Sequence, residues 1–388
     1  MRRRRLLAGL AVVVAALLVV GLDGWIVHHF GHNAATKQYP DDYLNAVACP
    51  STAQCWAVGQ TASAPGGNTL SEDRDPLLKH EQDGRWSTEP VAASGAKGST
   101  FQDIACPGAT DCWAVGGDAA GGHAIIAHWD GAAWRLVPSP VLAVAKPHVG
   151  NGSRVSKANS VGGGQLDSVS CASPTACWAT GGTQAHSGAI ADVFEQWNGI
   201  QWTLASTVAG GLQPQQFSCP AAGFCMALGQ RDGRPGAASY SGGRWTAVTP
   251  PPGPAGRPAG AVPSLFGCAS RKLCLAAFPG ADLLTDVWNG RAWTPVTSSK
   301  LTYPVGLSCS AVSPGPAGCW LLGMTRASRP LALRWQGQGW ASVAVPATHP
   351  QSYLTGLACA SDCWAVGGQG GTRRNGVPYT NAFIAPLA

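Results

Sequence analysis

Fourteen cysteines, arranged as seven pairs at a recurring place, constrain this chain more than any other feature. In three pairs the second cysteine is followed by Trp-Ala-Val-Gly, and in most of the others by a similar sequence. The pairs are Cys49/Cys55, Cys106/Cys112, Cys171/Cys177, Cys219/Cys225, Cys268/Cys274, Cys309/Cys319 and Cys359/Cys363. Cysteines paired at a fixed place in a repeat form a structural framework, so we predict seven disulfides. A metal site is a poor alternative, because each pair lacks two further ligands.

The period of the repeat indicates the fold. Cys49 and Cys359 are 310 residues apart across six intervals, which gives a mean period of about 52. A four-stranded propeller blade takes about 50 residues. The second copy divides into four short strands, a to d, with the cysteine loop between a and b. Asp130-Gly131 and Asn198-Gly199 have the composition of two-residue turns between c and d. We therefore predict an all-β, seven-bladed β-propeller of four-stranded antiparallel blades over residues 44–388.

The same residues carry a resemblance to a known family. The glycine pair Gly116-Gly117 ends one strand, Trp129 ends the next, and Trp134 and Pro138 follow at the expected distances. This pattern resembles the kelch repeat over nearly everything after residue 43, with the cysteine pair as a departure from it. The resemblance implies a kelch-like propeller, which we expect to be of a bacterial exported or membrane-anchored type.

The N-terminus predicts the compartment. Four arginines, Arg2 to Arg5, precede an apolar run over residues 6–22. We predict a signal-anchor transmembrane helix within residues 1–27, a linker over 28–43 and a propeller outside the plasma membrane. Cleavage of a signal peptide and secretion is the alternative. Both interpretations place the cysteines in an oxidising environment, where disulfides persist.

The last repeat lacks one element. Seven a–b hairpins are present but only six c–d units, and residues 382–388 align with a strand c. One interpretation is a three-stranded last blade. The other is that residues 24–43 supply the missing outer strand, since Trp25 precedes Cys49 at a compatible distance.

Strand order predicts two unlike faces. The a–b and c–d turns, with the disulfide loops, share one face, while the other carries the long loops 61–76, 138–165, 250–263 and 369–380. Variable loops on a rigid scaffold are the usual place for binding. The candidate binding residues there are basic: Lys146, Arg154, Lys157, Arg231, Arg234, Arg326, Arg329, Arg373 and Arg374. We expect an anionic envelope polymer, a glycan or a protein as ligand. From residue 24 onward there are 22 basic and 19 acidic residues, an excess too small to indicate nucleic-acid binding.

The sequence contains few signs of a catalytic site. It contains no GxSxG, HExxH or P-loop lysine motif, and every cysteine is committed to a pair. We assign no catalytic, cofactor or metal residue; the recurrent tryptophans are interpreted as blade packing, and His28, His29 and His32 as linker residues. The predicted function is a non-enzymatic cell-surface binding or sensor module. The alternative is a carbohydrate-active enzyme, a lyase or sialidase-like hydrolase, with its site at the channel mouth.

Overall fold

The part of the chain that the structure describes consists almost entirely of β-strands. The computed structural model describes residues 41–51, 53–62, 74–92, 98–118, 123–140, 164–184, 190–204, 208, 210–221, 223–255, 263–280, 282–298, 301–309, 318–345, 352–360, 363–372 and 378–387. These ranges contain no helix that is long and apolar enough to cross a bilayer. The predicted transmembrane segment, residues 1–27, lies outside them, as does most of the predicted linker.

The strands of the first four blades follow the chain from the inside of each blade outward. Blade 1 contains β1 (Asp41–Ser51), β2 (Gln54–Ala62), β3 (Arg74–Gln82) and β4 (Arg85–Glu89). Blade 2 contains β5 (Val91–Ala92), β6 (Ser99–Gly108), β7 (Asp111–Asp118), β8 (Ala124–Trp129) and β9 (Trp134–Val137). Blade 3 contains β10 (Gly164–Ser173), β11 (Ala176–Gln184), β12 (Ile190–Trp197) and β13 (Trp202–Leu204). Blade 4 contains β14 (Gln213–Ala221), β15 (Phe224–Arg231), β16 (Arg234–Ser241) and β17 (Arg244–Val248).

The last three blades continue the same order. Blade 5 contains β18 (Leu265–Ser270), β19 (Leu273–Phe278), β20 (Leu283–Trp288) and β21 (Trp293–Ser298). Blade 6 contains β22 (Tyr303–Cys309), β23 (Cys319–Met324), β24 (Pro330–Trp335) and β25 (Trp340–Val343). Blade 7 contains β26 (Ser352–Cys359), β27 (Cys363–Thr372) and β28 (Pro378–Leu387). The prediction of a seven-bladed propeller with four-stranded antiparallel blades is confirmed.

Two blades differ from the four-stranded pattern. In blade 2 the short strand β5 pairs in parallel with β9, which makes a sheet of five strands. In blade 7 the described residues form three strands, as one of the two interpretations of the last repeat predicted. The other interpretation assigned residues 24–43 to that blade. This is wrong for residues 41–43, which belong to β1 and pair with Gln60, Thr61 and Ala62; residues 24–40 lie outside the described part.

Contacts between the innermost strands close the ring. Strand a of each blade contacts strand a of the next blade, and β26 of blade 7 contacts β1 of blade 1. The Thr355 hydroxyl donates to the Leu44 carbonyl across this last junction at 2.5 Å. The Asn45 amide donates to the Phe101 carbonyl between blades 1 and 2 at 2.8 Å. Blade 7 therefore joins the ring by the same type of inter-blade hydrogen bond as blade 1.

All seven predicted disulfides form, and every cysteine is bonded. Each bond joins the end of strand a to the beginning of strand b. The bonds are Cys49–Cys55, Cys106–Cys112, Cys171–Cys177, Cys219–Cys225, Cys268–Cys274, Cys309–Cys319 and Cys359–Cys363.

The second cysteine of every pair lies at the beginning of strand b, as the repeat predicted, and its side chain is buried in the core. The exposed fraction does not exceed 3% at any of these residues, Cys55, Cys112, Cys177, Cys225, Cys274, Cys319 and Cys363. Most of them pack with apolar side chains of their own or a neighbouring blade: Cys225 packs with Trp178 of blade 3, and Cys274 with Met226 of blade 4. The reason is the alternation of side chains along strand b, which directs this cysteine between two sheets.

The predicted c–d turns require a correction. In blade 3, Trp197 pairs with Trp202 across a four-residue loop rather than a two-residue turn. The Asn198 side-chain oxygen accepts from the backbone N–H groups of Ile200 and Gln201, which stabilises the longer loop. Two-residue turns with positive φ occur instead in blades 1 and 4, at Asp83-Gly84 and Gly242-Gly243.

The glycine of the Trp-Ala-Val-Gly signature is required by close packing of strands a and b. In six blades strand a contains one extra residue opposite this glycine. A Cβ added to Gly116 would lie 1.9 Å from the Thr100 carbonyl oxygen, and Gly59 and Gly181 show the same 1.9 Å approach. Because backbone, rather than a flexible side chain, occupies that space, no larger residue fits without moving strand a.

Replacement of Gly116 by alanine is expected to lower the free energy of unfolding by about 2–3 kcal/mol, since the strand must shift to relieve the overlap. Chemical denaturation of the full chain in detergent measures this change. Gly108→Ala in the same blade is the matched control, because nothing lies within 4 Å of its added Cβ. It should be neutral or slightly stabilising. Equal effects of the two substitutions would contradict the packing explanation.

Aromatic contacts hold several neighbouring blades together. Trp56 of blade 1 packs on Trp129 and Trp134 of blade 2, at centroid distances of 4.9 and 5.2 Å. Trp178 of blade 3 likewise packs on Tyr240 and Trp245 of blade 4, at 4.9 and 5.7 Å. Trp364 of blade 7 packs on Trp86 of blade 1 at 5.6 Å. The interpretation of the signature tryptophans as blade packing is confirmed by these contacts.

Candidate binding face

The two faces of the propeller are built from different parts of each blade. One, the disulfide face, carries the a–b turns that the disulfides close and the c–d turns. The other, the loop face, carries the b–c hairpins, the d–a connections and the beginning of every strand a. This division follows from the antiparallel order of the strands in every blade. Side chains at the beginning of strand a lie near the ring axis, because strand a is the innermost strand.

The predicted basic residues divide into a described and an undescribed group. Arg231, Arg234, Arg326 and Arg329 lie on the loop face at or beside the b–c hairpins of blades 4 and 6. The other five predicted residues lie outside the described part of the chain: Lys146, Arg154, Lys157, Arg373 and Arg374. The structure therefore places four of the nine candidates on the predicted face.

The two described arginine pairs occupy different blades, and one arginine of each pair has a partner within the protein. Arg231, Asp232 and Arg234 line an open concavity of about 440 Å³ beside Pro235. Arg231 Nε donates to the Gly210 carbonyl at 2.9 Å. In blade 6, Arg326 pairs with Asp282 of blade 5 at 3.3 Å. Part of the positive charge of this face is therefore engaged in holding neighbouring loops.

Three tyrosines on the loop face were not among the predicted site residues. Tyr43, Tyr303 and Tyr353 occupy the same position near the beginning of strand a in blades 1, 6 and 7, which are consecutive around the ring. Tyr303 is 63% exposed and Tyr353 is 37% exposed. The rings of Tyr43 and Tyr353 lie 6.1 Å apart across the junction of blades 7 and 1. The sequence carried a signal for them, because each stands six residues before the first cysteine of its pair.

The surroundings of this tyrosine cluster are uncharged. Partial burial raises the pKa of Tyr353 far above its ordinary value, and the nearby Tyr43 raises it further. On strand b the three tyrosines pair with Gln60, Met324 and Gly368, none of which carries a charge. The cluster therefore presents aromatic rings to solvent beside uncharged residues of strand b.

Two histidines are part of the blade packing. His80 stacks on Trp56 at a centroid distance of 3.8 Å, and burial lowers its pKa, partly opposed by Glu89. His128 stacks on Trp113 at 4.1 Å and bonds to Asp111 at 2.9 Å. The described residues include no group of three or more potential metal ligands. His28, His29 and His32, interpreted as linker residues, lie outside the described part of the chain.

Buried carboxyl groups hold neighbouring blades and loops together. Glu195 of blade 3 accepts from the Ser139 hydroxyl, which follows the last strand of blade 2, at 2.6 Å. Asp286 of blade 5 accepts from the backbone N–H of Gly253, which follows the last strand of blade 4, at 2.6 Å. Both are fully buried and occupy equivalent places on strand c. Each carboxyl group therefore anchors the beginning of a long d–a connection.

Asp103 connects blades 2 and 3 and has an unusual protonation equilibrium. Its carboxyl group accepts from the Val169 N–H at 2.9 Å and from the Ser168 hydroxyl at 3.0 Å. Burial raises its pKa from 3.8 to about 6, although these hydrogen bonds and one from Ile104 lower it. The raised pKa means that the folded protein holds a proton on this group in a range where the unfolded chain has lost it.

Asp103 is expected to make the propeller less stable as the pH rises from about 4 to about 7. Its contribution is fully present below the unfolded pKa of 3.8 and is lost as the pH passes the folded value of about 6. The loss is at most about 3 kcal/mol. Urea unfolding of wild type and Asp103→Asn across this range measures it, with the difference between the two curves as the readout.

The paired comparison is needed because His80 has the opposite dependence. Its lowered pKa makes the protein less stable as the pH falls below about 6.5. This contribution is the same in both proteins and cancels in the difference. Parallel pH profiles for wild type and Asp103→Asn would contradict the prediction.

Comparisons with known proteins agree with the fold. No protein-family profile matches the chain, and no curated protein sequence matches it significantly. A structure of YCF48 bound to D1 peptide is similar at 14% identity and a TM-score of 0.50, covering 88% of this chain and 93% of that one. YCF48 from Cyanidioschyzon merolae is similar at 11% identity and a TM-score of 0.47, covering 88% and 96%. The SapL1 lectin in complex with alpha methyl fucoside follows at 13% and 0.42, covering 90% and 97%.

At these identities the similarity establishes the fold alone. The chain is a seven-bladed β-propeller with one disulfide in each blade.

Proposed function

We propose that this protein is a non-enzymatic binding module of the cell surface, which presents the loop face of its propeller to a ligand. The observation that carries the proposal is the exposure of Tyr303 and Tyr353 at the inner edge of that face. Tyrosines supply large, rigid contact areas that are both apolar and able to hydrogen-bond, and they are enriched at binding surfaces.

The proposal includes a location. Residues 1–27 would anchor the chain in the plasma membrane as a single pass with the propeller outside, or would direct secretion if they are cleaved. The seven disulfides support an oxidising compartment, and the arginines Arg2 to Arg5 support retention of the N-terminus in the cytoplasm. We also retain the kelch-like classification of the bacterial exported type as part of this proposal.

A binding assay with substitutions on both faces tests the proposal. The full-length chain in detergent is exposed to immobilised polygalacturonate, dextran and unstructured peptides. Substitutions on the loop face (Arg234→Ala with Arg329→Ala, or Tyr303→Ala) should weaken whichever binding is observed. Ile200→Ala is the matched control, because Ile200 is 84% exposed in a c–d turn of the disulfide face. Binding that depends on Ile200 and not on the loop face would refute the proposal.

The alternative function is a carbohydrate-active enzyme. The observation that supports this alternative is the Tyr43–Tyr353 pair beside the ring axis, since sialidases use a tyrosine nucleophile. Such an enzyme also needs a carboxyl group for proton transfer, and three of the described carboxyl groups, Asp103, Glu195 and Asp286, are engaged between blades. Release of reducing ends or unsaturated uronic acids from polysaccharides would favour this alternative.

A further inference from the structure

We infer that Tyr43, Tyr303 and Tyr353 form a stacking platform for a neutral polysaccharide that crosses blades 6, 7 and 1. This inference rests on the proposed binding function and specifies its ligand. It is carried by the position, the exposure and the uncharged surroundings of these three side chains.

The same position of strand a carries a tyrosine in three consecutive blades. The rings therefore recur around the propeller as sugar units recur along a polysaccharide. Each tyrosine lies one residue before the strand-a residue that pairs with the signature glycine, Gly59, Gly323 or Gly367. The three rings therefore stand at the same level in three consecutive blades. A ligand that repeats one sugar unit can make the same contact with more than one ring, which raises its affinity without a deep pocket.

Blades 2, 3 and 4 carry other side chains at the position of the tyrosines. Thr100, Gln165 and Gln213 occupy the equivalent positions in blades 2, 3 and 4. These side chains form hydrogen bonds but offer no ring for stacking. The described part of the ring therefore has an aromatic arc over blades 6, 7 and 1 and a polar arc over blades 2 to 4, so the ligand is expected to follow the aromatic arc.

The chemistry of the aromatic arc favours an uncharged ligand with both apolar and hydroxylated surfaces. The residues paired with the tyrosines on strand b are uncharged, and burial raises the pKa of Tyr353 further above neutral pH. Two charged side chains beside the arc have partners of opposite sign: Asp42 pairs with Lys79 at 4.0 Å, and Arg326 with Asp282 at 3.3 Å. A sugar ring presents C–H groups to an aromatic face and hydroxyls to its rim, which matches this surface.

Affinity electrophoresis and biolayer interferometry of the full-length chain in detergent test the inference. The probes are the neutral polysaccharides dextran, galactomannan and arabinogalactan, with polygalacturonate and an unstructured peptide as the other arms. We expect wild type to bind at least one neutral polysaccharide and Tyr303→Ala or Tyr353→Ala to bind it up to about tenfold more weakly. Tyr353→Phe should stay within about twofold, because the ring remains. Ile200→Ala should bind as wild type.

The outcomes separate this inference from the proposed function. Binding of polygalacturonate or peptide that is lost in Arg234→Ala with Arg329→Ala, without any neutral-polysaccharide binding, overturns the inference and leaves the proposed function intact. Neutral-polysaccharide binding that is unchanged in both tyrosine variants also overturns it. Absence of binding in every arm overturns both. Tyr303 is 63% exposed, so its truncation is not expected to impair folding, which thermal unfolding of each variant verifies.

Discussion

Full reduction of the seven disulfides is expected to unfold the propeller at ambient temperature. In the loop-entropy description, a disulfide that closes a loop of about seven residues stabilises a fold by roughly 2 kcal/mol. Seven of them reach roughly 15 kcal/mol as an upper limit, since short hairpins are partly formed in the unfolded chain. The whole stability of a typical domain is about 5–15 kcal/mol. The disulfides together are therefore comparable with everything else that holds this fold.

The measurement compares refolding with and without reductant. The full-length chain is unfolded in guanidinium, with or without excess dithiothreitol, and returned to detergent buffer under the same condition. Tryptophan fluorescence should recover only in the oxidised sample. Unfolding before reduction is required because the second cysteines, such as Cys55, Cys225 and Cys274, are buried in the core of the folded protein. Recovery of the native spectrum with an unchanged unfolding midpoint in the reduced sample would contradict the prediction.

Single disulfides offer a graded version of the same experiment. Cys309 and Cys319 are 10 residues apart, whereas Cys359 and Cys363 are 4 apart. Loss of the first pair by double alanine substitution should cost about 0.5–1 kcal/mol more than loss of the second, because the longer loop has more entropy to lose.

Replacement of Trp113 by alanine is expected to lower the free energy of unfolding by about 4–5 kcal/mol. Trp113 is fully buried and stacks on His128 of its own blade at 4.1 Å. It also packs on Trp197 and Trp202 of the next blade, at 4.6 and 5.3 Å. The substitution therefore leaves a cavity at the junction of two blades, where neither sheet can close the gap alone.

Denaturant unfolding followed by circular dichroism measures this loss, with Trp245→Ala as the control. Trp245 is only partly buried on the outermost strand of blade 4, so its removal should cost less than half as much. Because Trp245 also packs on a neighbouring blade, at Trp178, equal costs would contradict the full burial of Trp113 as the source of its larger effect.

Local features of the repeat were predictable because each local structural requirement is met by one residue type. The cysteine pairs and the signature glycine belong to this class: a disulfide needs two cysteines across a hairpin, and Gly116 is the residue without a Cβ. The c–d turns were less predictable. An Asn-Gly pair fits both a two-residue turn and the four-residue loop of blade 3, and the side-chain hydrogen bonds of Asn198 decide between them.

The burial of the disulfides was not predictable from the pairing itself. A cysteine pair indicates which two strands are joined, but it does not show which side of strand b the second sulfur occupies. Cys225 and Cys274 are fully buried because the neighbouring blade covers that side of the sheet. The disulfides are therefore part of the packing between blades as well as a link within each blade.

The sequence predicted which face of the propeller carries the long loops, but it did not predict all of the candidate binding residues on that face. Strand order alone separates the loop face from the disulfide face, and four predicted arginines do lie there. The tyrosine cluster was missed because Tyr43 and Tyr353 are 310 residues apart in the chain. They come within 6.1 Å only because blade 7 closes against blade 1. The same closure brings Trp364 onto Trp86, an aromatic contact that no single repeat contains.

The amino-acid sequence by itself determined the number of blades, their disulfides and the orientation of their faces, because these follow from a repeat whose cysteines and glycines act within one hairpin. Only the tertiary structure decided how the ring closes, which carboxyl group has a raised pKa between blades and which side chains stand together at the inner edge of the loop face. Those properties arise between blades, where residues distant in the chain share a buried surface or a common level, and no local pattern encodes that proximity.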